Sequence, residues 1–314
     1  MGLNIKMRSL LQVVLLSCLS LFADRVVAGD LHEVKAAGVL RHIGVPYANF
    51  ITISPVNGKL NEAGFDVDII RGFAAYLGVE YQFVQGESDN VYGLLTGQNA
   101  KYIDHKIVFG KRQKIKGDLV AGGATILDWR KNIVDFSDDY FPAGIWLFAR
   151  SDSTMQPIIP SGSIIDDIKK VKEQLNGREV LGKQYSSLDP ALYDLKSAGA
   201  HVLHTRADQK LHEMVLLIIQ NNAETTLVDV VDGLSALQAW SGEIKAIGPI
   251  SEAQRMAAVF PKSSPHLRQA FNTYLKKIRA DGTFNKIVKK HYPEIFNFYP
   301  DYFEQKQTAQ KHAS

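Results

Sequence analysis

The sequence predicts an α/β protein of two lobes, each a mostly parallel sheet flanked by helices, with a two-strand hinge between them. Three observations predict this. Short β-rich runs alternate with segments of helical apolar spacing, the order that produces βαβ units. The chain's 314 residues are enough for two cores. An α/β block over residues 144–261 sits between an N-terminal α/β block and a C-terminal helical pair, so the chain crosses between blocks twice, near 140–146 and 252–258. Two strand-like crossings make a hinge, and the cleft they leave is a natural ligand site.

The elements follow in order. "VLRHIGV" (39–45) is a first strand. "GFDVDIIRGFAAYLG" (64–78) places Val67, Ile70, Phe73, Ala74 and Leu77 at helical spacing and closes on Gly78. "VEYQFV" (79–84) and "DLVAGG" (118–123) are strands, the second ending in glycines. "GIWLFAR" (144–150) is a strand, followed by a Pro- and Ser-rich segment, 151–163, and an amphipathic helix, 164–177. "REVLGKQ" is a strand, "SSLDPALYDLKSAG" a helix opened by a serine cap, and "AHVLH" a strand. "QKLHEMVLLIIQNN" is a helix, "ETTLVDVV" a strand, and "RMAAVFP" (255–261) the second connecting strand. The tail forms two helices broken at Asp281-Gly282.

At the N-terminus Lys6 and Arg8 precede an apolar run too short to span a bilayer comfortably, and Val26 and Ala28 suit signal-peptidase cleavage. Residues 1–28 are therefore expected to be a removed export signal, giving a periplasmic protein. The alternative is lipid anchoring at Cys18, which ends "LLSC" and is the chain's only cysteine. The expected domains are 1–28, a first lobe of 29–143 plus 255–314, and a second lobe of 144–254. A hydrophobic fraction of 46% and charged fraction of 22% are those of a folded domain, and a net charge of +3 leaves no nucleic-acid footprint. The reading calls for no cofactor, no metal and no catalytic residue: His201 and His204 would alternate faces of a strand, "DFSDD" (135–139) lacks calcium-loop spacing, and no Walker A, "GxSxG" or "HExxH" pattern occurs.

The chemistry concentrates in "GDLVAGGATILDWRKNIVDFSDDYF" (117–141). Arg130 offers a planar fork of donors to a carboxylate. Backbone N–H groups near Gly123 and Thr125, at a strand-to-helix turn, favour anions, and Gly122 and Gly123 allow close backbone approach. The bland alternative pairs Arg130 with Asp128 or Asp135 at the surface.

With "GFDVDI", "NGREVLGKQYSS" and "RADGTFNKIVKKHY", this stretch resembles the extracellular solute-binding proteins of family 3, receptors of polar amino-acid importers. The end of the chain is also similar to the binding module of membrane-bound lytic transglycosylases, although no transglycosylase domain is expected after Ser314. The resemblance implies a periplasmic-binding-protein-like fold of type II. It implies that Gly123, Thr125 and Arg130 contact the ligand from the first lobe. Ser186, with Ser187, would offer hydroxyls at a helix N-terminus, Asp229 would receive the ligand ammonium, and Tyr47, Phe50 and Tyr92 would cover its side chain. Asp232 takes the place of Asp229 in a shifted alignment, and both Asp229 and Ser186 have a plain helix-capping reading.

Four departures stand out, the first being Trp129 where the family usually has an acidic residue beside the arginine. Gly44 replaces the acid that binders of cationic side chains carry, with Glu87 and Asp89 as the acids that could substitute. Tyr185 replaces a glycine and narrows the pocket. The basic segment 97–117 is a longer loop than usual. The implied partners are a small zwitterionic or carboxylate ligand and an inner-membrane permease, with the protein a monomer. Two other classes stay open: a cyclohexadienyl-dehydratase-like enzyme using Asp229 or Glu224 as its acid, and a sensory or cell-wall-associated module.

Overall fold

The computed structural model describes residues 28–56, 59–206 and 209–303. The export signal and Cys18 lie outside them, apart from Ala28. Two five-stranded sheets, each flanked by helices, form two lobes.

In the first sheet the strands run in the order Glu80–Gln85, Val39–Gly44, Leu119–Val120, Val259–Phe260, Asp135–Phe136. The second runs His201–His204, Glu179–Gly182, Thr225–Asp229, Ile145–Arg150, Ile244–Pro249. Both are mixed. The strands linked through helical crossovers are parallel, as Val39–Gly44 is to its two neighbours. Val259–Phe260 and Ile145–Arg150 enter directly from the hinge and run antiparallel to the strands beside them. The hinge is itself a two-stranded antiparallel ribbon, Phe141–Ala143 against Gln254–Met256.

Each lobe buries its own core. The first gathers Phe50, Phe65, Phe73, Phe141 and Phe271 against the Pro265–Ala280 and Thr283–His291 helices. The second packs Leu147, Val180, Ile218 and Leu227. Val230 and Val231 join the first cluster from the second lobe's side, so the lobes meet over apolar surface.

Three elements differ from expectation. Segment 186–199 forms only one 3₁₀ turn, Pro190–Tyr193, whose N-cap is Asp189 and not a serine. Pro190 fixes the start and Asp194, at φ 53°, stops it after four residues. The basic 97–117 segment contains a hairpin, Gln98–Ile103 with Lys106–Arg112. Its two-residue turn, Asp104-His105, takes φ of 48° and 60°, the handedness that matches strand twist without the usual glycine to signal it. The Val230–Ala239 helix follows directly from the Thr225–Asp229 strand, where the sequence run was read as strand to Val231.

Candidate functional site

The first lobe builds its half of the site around the turn after Leu119–Val120. His42, fully buried, holds that strand in place: its Nε2 donates to the Ala121 carbonyl at 2.9 Å, so Nδ1 accepts from the Tyr81 hydroxyl, also at 2.9 Å. Burial lowers its pKa to about 4, so the ring is neutral. The chain then turns through Gly122 and Gly123, at φ of 146° and 67°. A Cβ on Gly123 would lie 2.9 Å from Phe50 Cδ2 and 3.1 Å from Tyr47 Cδ1.

The Gly123 N–H is not free for an anion. It donates to Asp66 Oδ2 at 2.7 Å, while Asp66 Oδ1 accepts from the Tyr140 hydroxyl at 2.6 Å. Burial raises the Asp66 carboxyl to about 6, against these hydrogen bonds. Gly123 therefore contributes shape, and Asp66 fixes the turn.

Arg130 lies on the short Asp128–Lys131 helix and is 5% exposed. It donates from Nη1 to the Thr125 carbonyl at 2.8 Å, and its guanidinium lies 5.3 Å from the Tyr92 ring centroid and 5.5 Å from that of Trp129. Its Nε and the Thr125 Oγ1 are buried without a hydrogen-bond partner among the described residues. The surface-pair alternative fails: Asp128 pairs with Lys131 at 2.7 Å, and Asp135 lies 4.0 Å from Arg268.

The second lobe faces this with acids. Asp229 ends its strand and caps Val230–Ala239, Oδ1 accepting the Val231 N–H at 3.2 Å. The capping reading is thus correct for one oxygen only. Oδ2 is buried and unpartnered, as is Asp232 Oδ2 one turn on. Burial, then the Asp232 charge, holds the Asp229 carboxyl well above the usual range. Burial raises Asp232 to about 7, opposed by the Tyr47 hydroxyl beside it. Gln254 on the hinge donates to the Tyr193 hydroxyl at 3.4 Å and keeps an unpartnered buried Oε1.

Tyr47, Tyr92, Gly123, Arg130, Ser186 and Ser187 border one interlobe cavity of about 70 Å³. Thr125 and Asp229 lie behind its wall, at 0% and 1% exposed. Phe50 also stands behind it, packed among Phe65, Phe141 and Tyr292 and stacked on Tyr47 at 5.8 Å. Phe50 is core that backs the Tyr47 ring, not a cover over a ligand. Ser186 spends its hydroxyl within its own turn, donating to the Lys183 carbonyl at 2.8 Å and accepting the Leu188 N–H at 3.0 Å. Its expected place at a helix N-terminus belongs to Asp189.

The family model for bacterial extracellular solute-binding proteins, family 3, matches residues 99–294. The chain belongs to this family. Membrane-bound lytic murein transglycosylase F of Desulfosudis oleivorans is 23% identical over 81% of the chain and 49% of its own length. Its counterpart from Stutzerimonas stutzeri is 23% identical over 85% of the chain and 48% of its own. The chain thus spans about half the length of these two curated relatives. The L-cystine-binding protein TcyA of Bacillus subtilis is 26% identical over 86% and 88%. Among solved structures, a mutant of ArgBP from T. maritima superposes with a TM-score of 0.65 at 22% identity, covering 84% of this chain and 99% of that one.

Within this family-3 protein two residues correct the sequence reading. Glu224 is no candidate acid, since it accepts from Arg178 at 2.9 Å and from Ser153 at 2.7 Å. Gly44 has no room for a side chain: a Cβ would sit 2.2 Å from Ile51 Cδ1 and 2.8 Å from Phe83 Cε2. Gly44→Ala should therefore cost about 1–3 kcal/mol through overpacking, read as a lower urea midpoint at unchanged slope. The missing acid at position 44 does not leave the cleft without carboxylates, because Glu87 and Asp89 border a second cavity of about 360 Å³ beside the first. The sequence reading missed Asp66 and Gln254. A carboxylate in the apolar stripe of "GFDVDI" was the one available signal for Asp66; Gln254 had none.

Among the described residues no helix is long and apolar enough to cross a membrane.

Proposed function

We propose that this protein is a periplasmic receptor that closes on a small amino-acid-like ligand and delivers it to an ABC-type permease. One observation carries the reading: buried, unpartnered donors in one lobe, Arg130 Nε and Thr125 Oγ1, and buried, unpartnered acceptors in the other, Asp229 Oδ2 and Asp232 Oδ2. Orphaned buried polar groups are costly, so donors left unpartnered in one lobe and acceptors in the other call for a partner. A zwitterion is that partner. Its carboxylate takes the guanidinium and hydroxyl, and its ammonium takes the acids. The relatives named as amino-acid-binding proteins support the same ligand class.

In this reading the first lobe is residues 29–143 plus 255–314, the second is 144–254, and the Phe141–Ala143 and Gln254–Met256 ribbon is the hinge. The test is thermal-shift screening against the standard amino acids, followed by calorimetry. A ligand at a hundred times its Kd adds about 2.7 kcal/mol of stability, which shifts the melt by several degrees. Small-angle scattering should show a smaller radius of gyration with the ligand found. No shift with any amino acid defeats the proposal.

The acid pair favours one second reading. A carboxyl that burial raises well above its usual range is also what a general acid needs, and an ancestral amino acid-binding protein described as a precursor of cyclohexadienyl dehydratase shares the fold, with a TM-score of 0.64. Loss of carbon dioxide and water from a hydroxycyclohexadienyl carboxylate leaves an aromatic ring, so turnover would appear as rising ultraviolet absorbance.

A further inference from the structure

We propose that Tyr185 is the partition that sets how long a ligand the site admits, and that Lys101, reaching from the opposite lobe, clasps it in place. This rests on the reading that the inner cavity receives an amino acid.

Tyr185 borders both the cavity that holds Arg130 and the larger one beside it, together with Val45, Ser88 and Leu211. It is the largest side chain the two cavities share. Its backbone stands at φ 64°, the left-handed region that L side chains seldom take, and its N–H is held by Asp189 Oδ2 at 3.0 Å. The direction of the ring is therefore set by the turn.

The other hold comes from across the cleft. Lys101, on the first lobe's Gln98–Ile103 strand, places its ammonium 3.9 Å from the Tyr185 ring centroid. The same hairpin touches the second lobe again at its tip, where His105 Nε2 lies 3.7 Å from Asp194 Oδ1. The hairpin is also tied to the inner site, because Tyr102 stacks on Trp129 at 5.8 Å and 14°. A strap rooted beside Arg130 thus ends on the residue that closes the cavity.

The larger cavity fits a polar extension. Glu87 and Asp89 face it from the first lobe and Lys210 from the second. With the ring in place, the inner cavity takes a short side chain. With it removed, the two cavities join, and a long polar side chain or a second peptide unit gains the outer space.

Calorimetry on the wild type, Tyr185→Gly, Tyr185→Phe and Lys101→Met, with glycine, serine, glutamine, arginine and alanyl-alanine as probes, tests this. Glycine suits φ 64° better than tyrosine does, so Tyr185→Gly should melt no lower than the wild type. It should raise the ratio of long-probe to short-probe affinity about tenfold or more, as pocket-filling groups do. Tyr185→Phe, which keeps the ring, should leave the ratio unchanged, and Lys101→Met should raise it a few-fold. Wild-type binding of short probes with the same ratio in Tyr185→Gly overturns the partition, and an unmoved ratio in Lys101→Met overturns the clasp. If no probe binds any of the four proteins, the amino-acid reading falls and this inference falls with it.

Discussion

Replacing Arg130 with alanine should weaken ligand binding about 30- to several-thousand-fold. Removing one member of a buried, hydrogen-bonded charge pair costs about 2–5 kcal/mol, and each 1.4 kcal/mol is tenfold in Kd. The chain should still fold. Among the described residues Arg130 makes one hydrogen bond, to the Thr125 carbonyl, and its loss leaves that acceptor short by about 1–3 kcal/mol, a drop of a few degrees in melting temperature. Arg130→Lys separates charge from shape. An ammonium keeps the charge between Tyr92 and Trp129 but cannot present two parallel N–H groups to a carboxylate, so affinity should recover only in small part. Calorimetry with the ligand found by screening, beside melting curves, reads both quantities. Unaltered affinity in Arg130→Ala would remove the basis of the site.

The parts of this site that were legible in the sequence share a physical cause. Arg130 and Gly123 were found because a charge and a left-handed turn stand out against an apolar background, and both border the cavity. Tyr47 and Tyr92 were found through resemblance and border it too. What failed depended on partners far away in the chain. The Gly123 N–H seemed free because Asp66, 57 residues earlier, gives no local sign that it accepts there. Ser186 and Asp189 are both good helix caps, and only the position of Pro190 decides between them. The fold shows the same division. Strands and helices with clear periodicity were located, whereas the 98–112 hairpin turns on two positive-φ residues that are not glycine. The end of the Thr225–Asp229 strand was set two residues late, because Val230 and Val231 continue its apolar pattern past Asp229 into the helix.

Asp229→Asn should weaken binding and stabilise the protein at once, a combination that separates the readings of this residue. Asparagine caps a helix about as well as aspartate, and its side-chain oxygen can still accept the Val231 N–H. What is lost is an ionisable group. Above pH 7 the wild type holds two buried carboxyls three residues apart, an ionised Asp232 and an Asp229 that burial and the Asp232 charge hold well above the usual range, each with an oxygen unpartnered among the described residues. Removing one should therefore raise the melting temperature at pH 8. The pH dependence follows from the direction of the shifts. Asp232 titrates at about 7 when folded, against an ordinary 3.8, so between about pH 4 and 7 the native state keeps a proton that the unfolded chain has released. Stability then falls as pH rises through that window, and the raised Asp229 carboxyl adds to the fall in the same direction. Asp229→Asn removes one of the two raised carboxyls, so the slope should shrink. Binding runs the other way, because a ligand ammonium needs an ionised partner. Wild-type affinity should rise with pH over the same window, by up to about tenfold per unit where one proton is displaced. In Asp229→Asn it should be lower by about 2–5 kcal/mol at pH 8. A helix cap alone predicts unchanged affinity, and a general acid predicts lost turnover with binding retained. Titrations at pH 5.5 and 8 on both proteins decide among the three, and full affinity in Asp229→Asn would give the ammonium to another group.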